Sequence, residues 1–417
     1  MNRNIKRQFP NLVELSALLK FRRPTMQGRQ RRLDQALTIW DLREIAKKRT
    51  PQGPFDYTDG AAESELSLRR ARQAFLDIEF QPSILHDVSQ IDLTRKVLGR
   101  EFQLPVGIAP TGFTRMMQSE GEVAGSRAAA KYGIPFTLST LGTTSIEDVV
   151  NAAPDGTNWF QLYMWKDRDA SMALVERAAK MGVTNLMLTV DVPVAGARLR
   201  DSYNGMTVPP KLNFKTVANA IPRPEWVWNF LTTPPLQFAS MNKWDGTVAE
   251  LLDFMFDPTM TFEDLKWVRE QWKGTLTVKG IQTLEDAKKC AANGADAILL
   301  SNHGGRQLDR SPVPFHLLGQ IRNELKKEIE VHLDTGIMHG GDVIAAIAHG
   351  AQFTYVGRAY LYGLMAGGQE GVERSLEILR GQMIRTMKLL GVNSLDELEP
   401  GHVNMLPVGA GLGTLPK

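Results

Sequence analysis

The stretch Ile298-Leu299-Leu300-Ser301-Asn302-His303-Gly304-Gly305-Arg306-Gln307-Leu308-Asp309 decides the fold of this chain. Its apolar start, residues 298–300, is too short for a helix and predicts a fully buried parallel strand. At the end of this strand His303 and Arg306 emerge together, a titratable base beside a charged guanidinium that can bind a carboxylate through two parallel hydrogen bonds. Gly304 and Gly305 allow a tight turn and a close approach of the backbone to a flat ligand. Taken alone, the stretch could also be a polar turn at the surface. The remaining apolar runs of the chain distinguish the two interpretations.

Short apolar runs of this kind recur from residue 106 onward. They lie at 106–109, 136–139, 159–163, 186–190, 276–278, 298–300, 331–333 and 353–356. Amphipathic segments of helix length separate most of them, at 121–132, 146–153, 170–181, 284–293, 314–327 and 342–349. Buried strands that alternate with helices predict an α/β protein built as a (β/α)8 TIM barrel rather than an open doubly wound sheet. The chain has no Gly-x-Gly-x-x-Gly after the first run, which also disfavours a dinucleotide-binding fold.

The barrel domain is expected at residues 38–398, between a basic extension at 1–37 and a C-terminal tail at 399–417. Residues 38–50 have apolar positions at helical spacing and end before Pro51 and Gly53, which predicts a helix in front of the barrel. About 85 residues separate the fourth apolar run from the fifth. The excess, at 192–260, is typical of a lid or an interaction surface. Its segment 221–231 is rich in Pro, Trp and Phe, which suits either a membrane interface or packing over the barrel.

The composition is that of an ordinary soluble globular protein, with 43% apolar and 23% charged residues in 417. No apolar stretch reaches the roughly 18 residues of a transmembrane helix and no secretory signal is evident, so a cytoplasmic location is expected. The single cysteine, Cys290, excludes an intramolecular disulfide and an all-cysteine metal site, and no metal is predicted.

Positive charge is concentrated near the N-terminus. Residues 1–32 contain one acidic residue, Glu14, and the basic residues Arg3, Lys6, Arg7, Lys20, Arg22, Arg23, Arg29, Arg31 and Arg32. This arm is either a solvated tail or a peripheral contact with anionic lipid on the inner face of the cell membrane. Aromatic residues are not interleaved with the charge, so nucleic acid is not a predicted partner.

The active site of a (β/α)8 barrel forms at the C-terminal ends of its strands, so the residues there are considered together. In strand order they are Pro110, Thr111 and Gly112; Ser139 and Thr140; Gln161 and Tyr163; Thr189, Asp191 and Arg198; Lys279; His303 and Arg306; Asp334 and Gly336; and Gly357 and Arg358. Glycines and an arginine after the last two strands predict a phosphate site. Lys279 can stabilise negative charge on an electron-accepting ring. His303 combines with a carboxylate, Asp191, and with two cations that can bind a substrate carboxylate.

The stretch from Ser301 to Asp309 resembles the signature of the FMN-dependent 2-hydroxy-acid-oxidising enzymes. That family includes glycolate oxidase, lactate oxidase, flavocytochrome b2 and the membrane-associated lactate and mandelate dehydrogenases. The resemblance extends from about residue 38 to about residue 398 through Phe55-Asp56-Tyr57, Ala109-Pro110-Thr111-Gly112, Phe160-Gln161-Leu162-Tyr163, Thr189-Val190-Asp191, Val278-Lys279-Gly280 and Gly357-Arg358. The N-terminal extension and the excursion up to Phe230-Leu231-Thr232-Thr233 resemble the quinone-dependent L-lactate dehydrogenases of actinobacteria more than the oxidases.

The resemblance implies that FMN lies across the barrel mouth. Its ring would contact Ala109, Pro110, Thr111, Gly112, Ser139, Gln161, Thr189 and Lys279, its ribityl chain Asp334, and its phosphate Gly336, Gly357 and Arg358. The substrate carboxylate would bind Arg306, Arg198 and Tyr57, a residue that spacing alone suggests is a packing residue. Tyr163 would lie near the hydroxyl, and His303, oriented by Asp191, would take a proton while two electrons pass to the flavin.

The implied activity is oxidation of a small L-2-hydroxy acid, with L-lactate the leading substrate and a membrane quinone as electron acceptor, in a homotetramer. An oxidase or monooxygenase using oxygen, a dehydrogenase for a bulkier acid such as mandelate, and a flavin-binding membrane-docking module without turnover are the alternatives.

Three positions depart from glycolate oxidase. Met338 replaces a phosphate-side arginine, Leu141 replaces a tryptophan over the substrate, and Gly112 replaces an alanine. The glycine is shared with the membrane dehydrogenases and favours a quinone acceptor.

Overall fold

A computed structural model describes residues 28–205, 207–208, 214–240, 246–247, 250 and 255–407. Its strands are β1 (Ile78–Phe80), β2 (Arg95–Val97), β3 (Arg100–Phe102), β4 (Val106–Ile108), β5 (Pro135–Ser139), β6 (Thr157–Tyr163), β7 (Asn185–Thr189), β8 (Thr207–Val208), β9 (Gly246–Thr247), β10 (Thr275–Ile281), β11 (Ala297–Leu300), β12 (Glu330–Leu333), β13 (Phe353–Val356) and β14 (Val403–Met405). The strands β4, β5, β6, β7, β10, β11, β12 and β13 form a closed parallel barrel in that order, with β13 paired to β4.

The helices of the described residues surround this barrel and extend it. They are α1 (Gly28–Gln35), α2 (Ile39–Arg49), α3 (Gln52–Asp59), α4 (Leu66–Ala74), α5 (Thr114–Met117), α6 (Gly121–Lys131), α7 (Ile146–Ala152), α8 (Arg168–Lys180), α9 (Leu199–Asn204), α10 (Phe214–Ala220), α11 (Pro224–Thr232), α12 (Phe262–Gln271), α13 (Leu284–Ala292), α14 (Pro314–Leu325), α15 (Gly340–Ala348) and α16 (Arg358–Leu390). The predicted (β/α)8 barrel is confirmed, because each predicted apolar run overlaps one barrel strand.

The barrel is closed at its N-terminal end by side chains. The β2–β3 hairpin carries Phe102, whose ring lies 5.7 Å from that of Trp159 and 5.8 Å from that of Phe353, inside the barrel. All three side chains are buried. The N-terminal end of the barrel is therefore filled, and a ligand site forms at the opposite end, where the strands end in polar residues.

The helix predicted at 38–50 is α2, and a capping box explains where it begins. The Thr38 side chain accepts a hydrogen bond from the Asp41 amide, and the Asp41 carboxylate accepts one from the Thr38 amide. The helix ends at Arg49, before Pro51. The helices that were not predicted include α3, which carries Tyr57, and the long α16, whose non-helical Gly367 and Gly368 interrupt its sequence pattern. The single cysteine, Cys290, is buried in α13.

The described part of the 192–260 excursion folds back over the barrel mouth. Trp226 Nε1 donates to the Met116 carbonyl at 3.0 Å, and the ring of Phe238 packs edge-on against Phe113 at 4.4 Å. On the same excursion Trp228 and Leu231 are 70% and 69% exposed. Some of its aromatic residues therefore pack over the barrel, as one alternative held, and others face solvent.

The basic arm is described only from residue 28. Its residues Arg3, Lys6, Arg7, Lys20, Arg22 and Arg23 lie outside the described residues, as do 206, 209–213, 241–245, 248–249 and 251–254 of the excursion. Arg29 in α1 pairs with Glu120 at 3.4 Å and with Glu225 of α11 at 3.1 Å, so α1 contacts the excursion. Within the described chain, no helix combines the length and the apolarity needed to span a bilayer.

Candidate active site

A cavity of about 480 Å³ opens at the C-terminal ends of the barrel strands. Most residues proposed for the site line it: Tyr57, Ala109, Pro110, Thr111, Gly112, Ser139, Tyr163, Arg198, Lys279, His303, Arg306, Asp334, Gly336, Gly357 and Arg358. Gln161, Thr189 and Asp191 are not in the lining but lie behind it, each hydrogen-bonded to another residue of the set. The topology therefore brings the whole set to one end of the barrel.

His303 and Asp191 form a hydrogen-bonded pair. Nδ1 of His303 lies 3.0 Å from Oδ1 and 3.2 Å from Oδ2 of Asp191, whose side chain is 3% exposed. Because an ionised carboxylate can only accept, the ring proton is on Nδ1 and the lone pair is on Nε2. Nε2 lies 3.2 Å from the hydroxyl of Tyr163. This tautomer leaves Nε2 ready to take a proton from a bound molecule.

The surroundings of the pair favour a neutral His303 and an ionised Asp191. Burial lowers the pKa of His303 below its ordinary value, although the negative charge of Asp191 opposes that change. Burial acts to raise the pKa of Asp191, but the nearby His303 and Lys279 outweigh it and hold that pKa below its ordinary value. Burial and the charge of Asp191 raise the pKa of the Tyr163 hydroxyl. At neutral pH the arrangement favours a neutral imidazole, an ionised carboxylate and a protonated phenol.

The backbone of His303 is held in an unusual conformation. Its φ is 59°, in the left-handed region that side chains other than glycine seldom adopt. The His303 amide donates to the Ser301 hydroxyl at 3.1 Å, and the Gly304 amide donates to the Thr335 hydroxyl at 3.3 Å. These contacts fix the turn that points the imidazole at Asp191, and strained backbone of this kind is concentrated at functional sites.

Gly280 is needed for the approach of Asp191. It follows Lys279 with φ of 107°, and a Cβ there would lie 2.7 Å from the Cβ of Asp191. A larger residue at this position would therefore displace the carboxylate that orients His303.

Two arginines face the same cavity. Nη1 of Arg306 donates to the carbonyls of Tyr57 and Gly60, and its guanidinium carbon lies 4.6 Å from the centre of the Tyr57 ring. Burial and the neighbouring Arg198 lower the pKa of Arg306 to about 10, which leaves it charged at neutral pH. Nη2 of Arg306 is buried without a hydrogen-bond partner in the described structure. A buried charged donor of this kind requires an acceptor from a ligand.

Arg198 approaches from the chain segment after β7. Its Nη2 donates to Gln307 Oε1 at 3.2 Å, and its Nε lies 3.5 Å from the Arg306 carbonyl. The two guanidinium groups therefore flank one side of the cavity, where they can bind the two oxygens of a carboxylate.

A second set of polar side chains lies at the floor of the cavity, some in its lining and some directly behind it. Gln161 accepts from the Ser139 hydroxyl at 3.0 Å and donates to Thr189 at 3.0 Å. Nζ of Lys279 donates to Ser301 Oγ at 2.9 Å and lies 3.4 Å from Asp334 Oδ2. Lys279 is buried, so its positive charge acts in a region of low dielectric.

Glycines and arginines form the far end of the cavity. Gly336, after β12, has φ of 89° and its Cβ would lie 2.6 Å from the Ala71 carbonyl, so only glycine fits there. A Cβ on Gly357 would meet nothing within 4 Å, so the space beside it is open. The guanidinium of Arg358 donates to the carbonyls of Thr58, Gly304 and Gly60 at 3.0, 2.9 and 2.7 Å.

Comparison with known proteins matches this arrangement to one family. The family described as FMN-dependent dehydrogenase matches residues 46–405. The chain belongs to this FMN-dependent dehydrogenase family. It is 58% identical over 410 residues to the protein named "Putative L-lactate dehydrogenase" of Mycobacterium tuberculosis, covering 97% of this chain and 99% of that protein. It is 40% identical over 365 residues to an L-lactate dehydrogenase of Xanthomonas campestris pv. campestris, covering 86% of this chain and 94% of that protein.

Solved structures of the FMN-dependent family show the same fold. The crystal structure of a monotopic membrane protein, (S)-mandelate dehydrogenase, superposes with a TM-score of 0.85 at 36% identity, covering 89% of this chain and all of that one (100%). A mandelate oxidase superposes with a TM-score of 0.77 at 33% identity, covering 88% of this chain and 98% of that one. The predicted family and the FMN cofactor are therefore confirmed, and the chain is an FMN-dependent oxidoreductase acting on 2-hydroxy acids.

The cavity fits the cofactor of the FMN-dependent family in its chemistry. Lys279 is a buried cation on the floor, where it can stabilise a reduced, anionic ring. The open space at Gly357 and the tight glycine at Gly336 suit a phosphate at the far end. Between the two ends, Asp334 offers a carboxylate to hydroxyl groups.

Several residues of the cavity were not predicted as site residues. Phe256, in the excursion, lines the cavity and packs against the Tyr163 ring, with 4.7 Å between ring centres. Nothing in its local sequence indicates a site residue. Arg72 lines the far end from α4. One sequence signal could have identified Arg72. It is a cation on a helix face that is otherwise apolar, formed by Leu68, Ala71 and Phe75.

The three departures noted in the sequence all lie at the cavity. Leu141 and Met338 line it, and neither carries a charge. A Cβ on Gly112 would lie 2.8 Å from the Cβ of Leu141, so an alanine at 112 requires Leu141 to move. Gly112 and Leu141 are thus coupled in this chain, and together they shape one wall of the mouth.

Proposed function

We propose that this protein oxidises L-lactate to pyruvate with FMN and passes the electrons to a membrane quinone. One observation carries the proposal: the His303–Asp191 pair faces the same cavity as Arg306, whose Nη2 is buried without a partner in the described structure. A base beside an unmatched cation suits a substrate that has both a carboxylate and an oxidisable hydroxyl. The names of two relatives, "Putative L-lactate dehydrogenase" and "L-lactate dehydrogenase", support the choice of acid.

Substrate binding is assigned to the two arginines and Tyr57. Arg306 supplies Nη2 to one carboxylate oxygen, and Arg198, on the segment after β7, lies beside it. The Tyr57 ring holds the Arg306 guanidinium from its face, at 4.6 Å, and so limits its motion. A fixed carboxylate restricts where C2 of the acid can lie, which is a large part of the catalytic effect of positioning.

The proton is assigned to His303. Oxidation of the acid at C2 removes two electrons and two protons, and bound FMN would accept both electrons and the proton that His303 does not take. Nε2 of His303 takes one proton of the substrate, while Nδ1–H stays hydrogen-bonded to Asp191. The carboxylate stabilises the imidazolium that results, and the Tyr163 hydroxyl, 3.2 Å from Nε2, orients the hydroxyl end of the substrate.

The membrane acceptor is supported by the surface of the excursion. Ile221, Trp228 and Leu231 are 71%, 70% and 69% exposed, and all lie on or beside α10 and α11. Exposed tryptophan with aliphatic residues is typical of contact with the bilayer interface. The related (S)-mandelate dehydrogenase is described as a monotopic membrane protein. We therefore propose a peripheral contact with the membrane through this surface, close to the mouth where reduced flavin would be reoxidised.

A combined panel of acids and acceptors tests the proposal. Purified protein is supplied with L-lactate, D-lactate, glycolate or (S)-mandelate, and with a soluble quinone analogue or oxygen as acceptor. We expect the highest kcat/KM with L-lactate and quinone reduction in large excess over peroxide. A preference for (S)-mandelate would assign a bulkier acid, and a stoichiometric yield of peroxide would assign an oxidase.

A further inference from the structure

The arginine expected to bind the phosphate at the far end of the cavity, Arg358, already has backbone partners for much of its guanidinium. Three N–H groups of Arg358 are taken by the carbonyls of Thr58, Gly60 and Gly304, at distances of 2.7 to 3.0 Å. Met338, on the loop between β12 and α15, adds no charge. A buried anion is costly unless cations and N–H groups compensate it. The placement of the FMN phosphate at this end is part of the proposed function, and the present inference rests on it.

Arg72 brings a second cation to the same end. It projects from α4, is 8% exposed, and lines the cavity. Its Nη1 donates to the Gly336 carbonyl at 2.5 Å, so the guanidinium touches the glycine that turns the loop after β12. Arg72 therefore lies where the phosphate is expected, although it is far from this loop in sequence.

Asp342 fixes the position of that guanidinium. Its carboxylate accepts hydrogen bonds from Nη1 and Nη2 of Arg72, the second at 3.1 Å. It also accepts the amides of Met338 and His339, both at 2.9 Å, at the N-terminal end of α15. Those amides and the helix end also stabilise the carboxylate, so Asp342 is itself held in place and in turn holds the arginine at the far end of the cavity.

We propose that Arg72 is the second cation of the FMN phosphate site and that it acts together with Arg358. In this arrangement the loop residues Gly336 and Met338 would offer only backbone groups to the phosphate. The added positive charge would come from Arg72 on α4, a helix that precedes the barrel. A purely architectural role, in which Arg72 only joins α4 to the loop, is the competing explanation. The two roles differ in one respect: a charge contact acts on the phosphate alone, and an architectural contact acts on the whole cavity.

The experiment compares FMN with riboflavin, which lacks the phosphate. The full-length chain is freed of flavin, its folding is checked by circular dichroism, and both affinities are measured by flavin fluorescence quenching. For Arg72→Gln we expect FMN affinity to fall about 10- to 100-fold with riboflavin affinity unchanged. Arg70→Gln, which removes the same charge from an exposed position of the same helix, should change neither. An equal loss for both flavins, or no loss, overturns the proposal.

Two further variants separate the possible failures. Gly357→Glu places a carboxylate in the open space beside the expected phosphate and should lower FMN affinity more than riboflavin affinity. If it does so while Arg72→Gln does not, the placement of the phosphate stands and the role of Arg72 is refuted; if neither variant discriminates, the placement itself fails. Should Arg72→Gln not fold, Arg72→Lys decides: a retained preference for FMN supports a charge role, and a lost preference overturns it.

Discussion

Replacing Asp191 with asparagine removes one negative charge from beside His303 and leaves the shape of the side chain almost unchanged. The asparagine oxygen can accept from Nδ1–H, which lies 3.0 Å from Oδ1 in the native pair, whereas its NH2 group, if turned toward Nδ1, would favour the other tautomer. The variant therefore removes the charge of Asp191 while it retains a hydrogen-bonding partner for Nδ1. Asp191→Ala, which removes charge and hydrogen bond together, is the matched comparison.

The size of the effect follows from Coulomb's law. Charges about 4 Å apart at an effective dielectric constant of about 20 interact by about 4 kcal/mol. One pKa unit corresponds to about 1.4 kcal/mol, so the full charge is equivalent to about three units in the proton affinity of His303. Because the imidazolium is only partly formed in the transition state, we expect kcat/KM of Asp191→Asn to fall by about 10² to 10³.

The assay is steady-state oxidation of L-lactate with a soluble acceptor, normalised to bound flavin measured by absorbance. FMN content of Asp191→Asn should equal that of the wild type, because the carboxylate lies behind the cavity lining. A kcat/KM within about threefold of wild type would refute the electrostatic role of Asp191. Loss of FMN from the variant would mean that Asp191 maintains the cavity rather than the base.

Three other predictions follow from the same geometry. Arg306→Lys should raise KM for L-lactate about tenfold or more, because an ammonium group cannot replace the planar guanidinium, whose buried Nη2 has no partner in the described structure. The affinity for riboflavin should not change. The proposed base is the neutral form of His303, whose pKa lies below the ordinary 6.5, so kcat/KM should hold as pH falls to that value and decline only below it; a decline centred above 6.5 would contradict the direction of the shift. Trp228→Asp with Leu231→Asp should reduce flotation with anionic liposomes and leave soluble turnover unchanged. The control Leu389→Asp, at a position equally exposed at 70%, should change neither flotation nor turnover.

The barrel could be predicted from the sequence because each strand is buried on both faces. A continuous apolar run between polar segments is a local signal, and it was enough to place every barrel strand. The helix α16 could not be predicted in the same way, because Gly367 and Gly368 break its pattern and its burial depends on packing against α2. Tyr57 looked like a packing residue from spacing alone, since only α3 brings it to Arg306.

The site was partly predictable because a barrel collects its strand ends in one place. Asp191 and His303 are separated by 112 positions, yet β7 and β11 both pair with β10, so their ends are close. Phe256 and Arg72 do not follow a strand end. Phe256 reaches the cavity through the path of the excursion and Arg72 through the packing of α4, and both depend on tertiary structure that no local pattern records.

The most direct test of the account is an anaerobic half-reaction in which His303→Gln is compared with the wild type. Both proteins should be purified yellow with equal FMN content, because His303 is proposed to act on the substrate and not to hold the cofactor. On mixing with L-lactate in a stopped-flow instrument, the wild type should lose its flavin absorbance within seconds, and the variant should do so at least about 10³-fold more slowly. Rapid bleaching of His303→Gln, or no bleaching of the wild type by any short 2-hydroxy acid, would contradict the central claim.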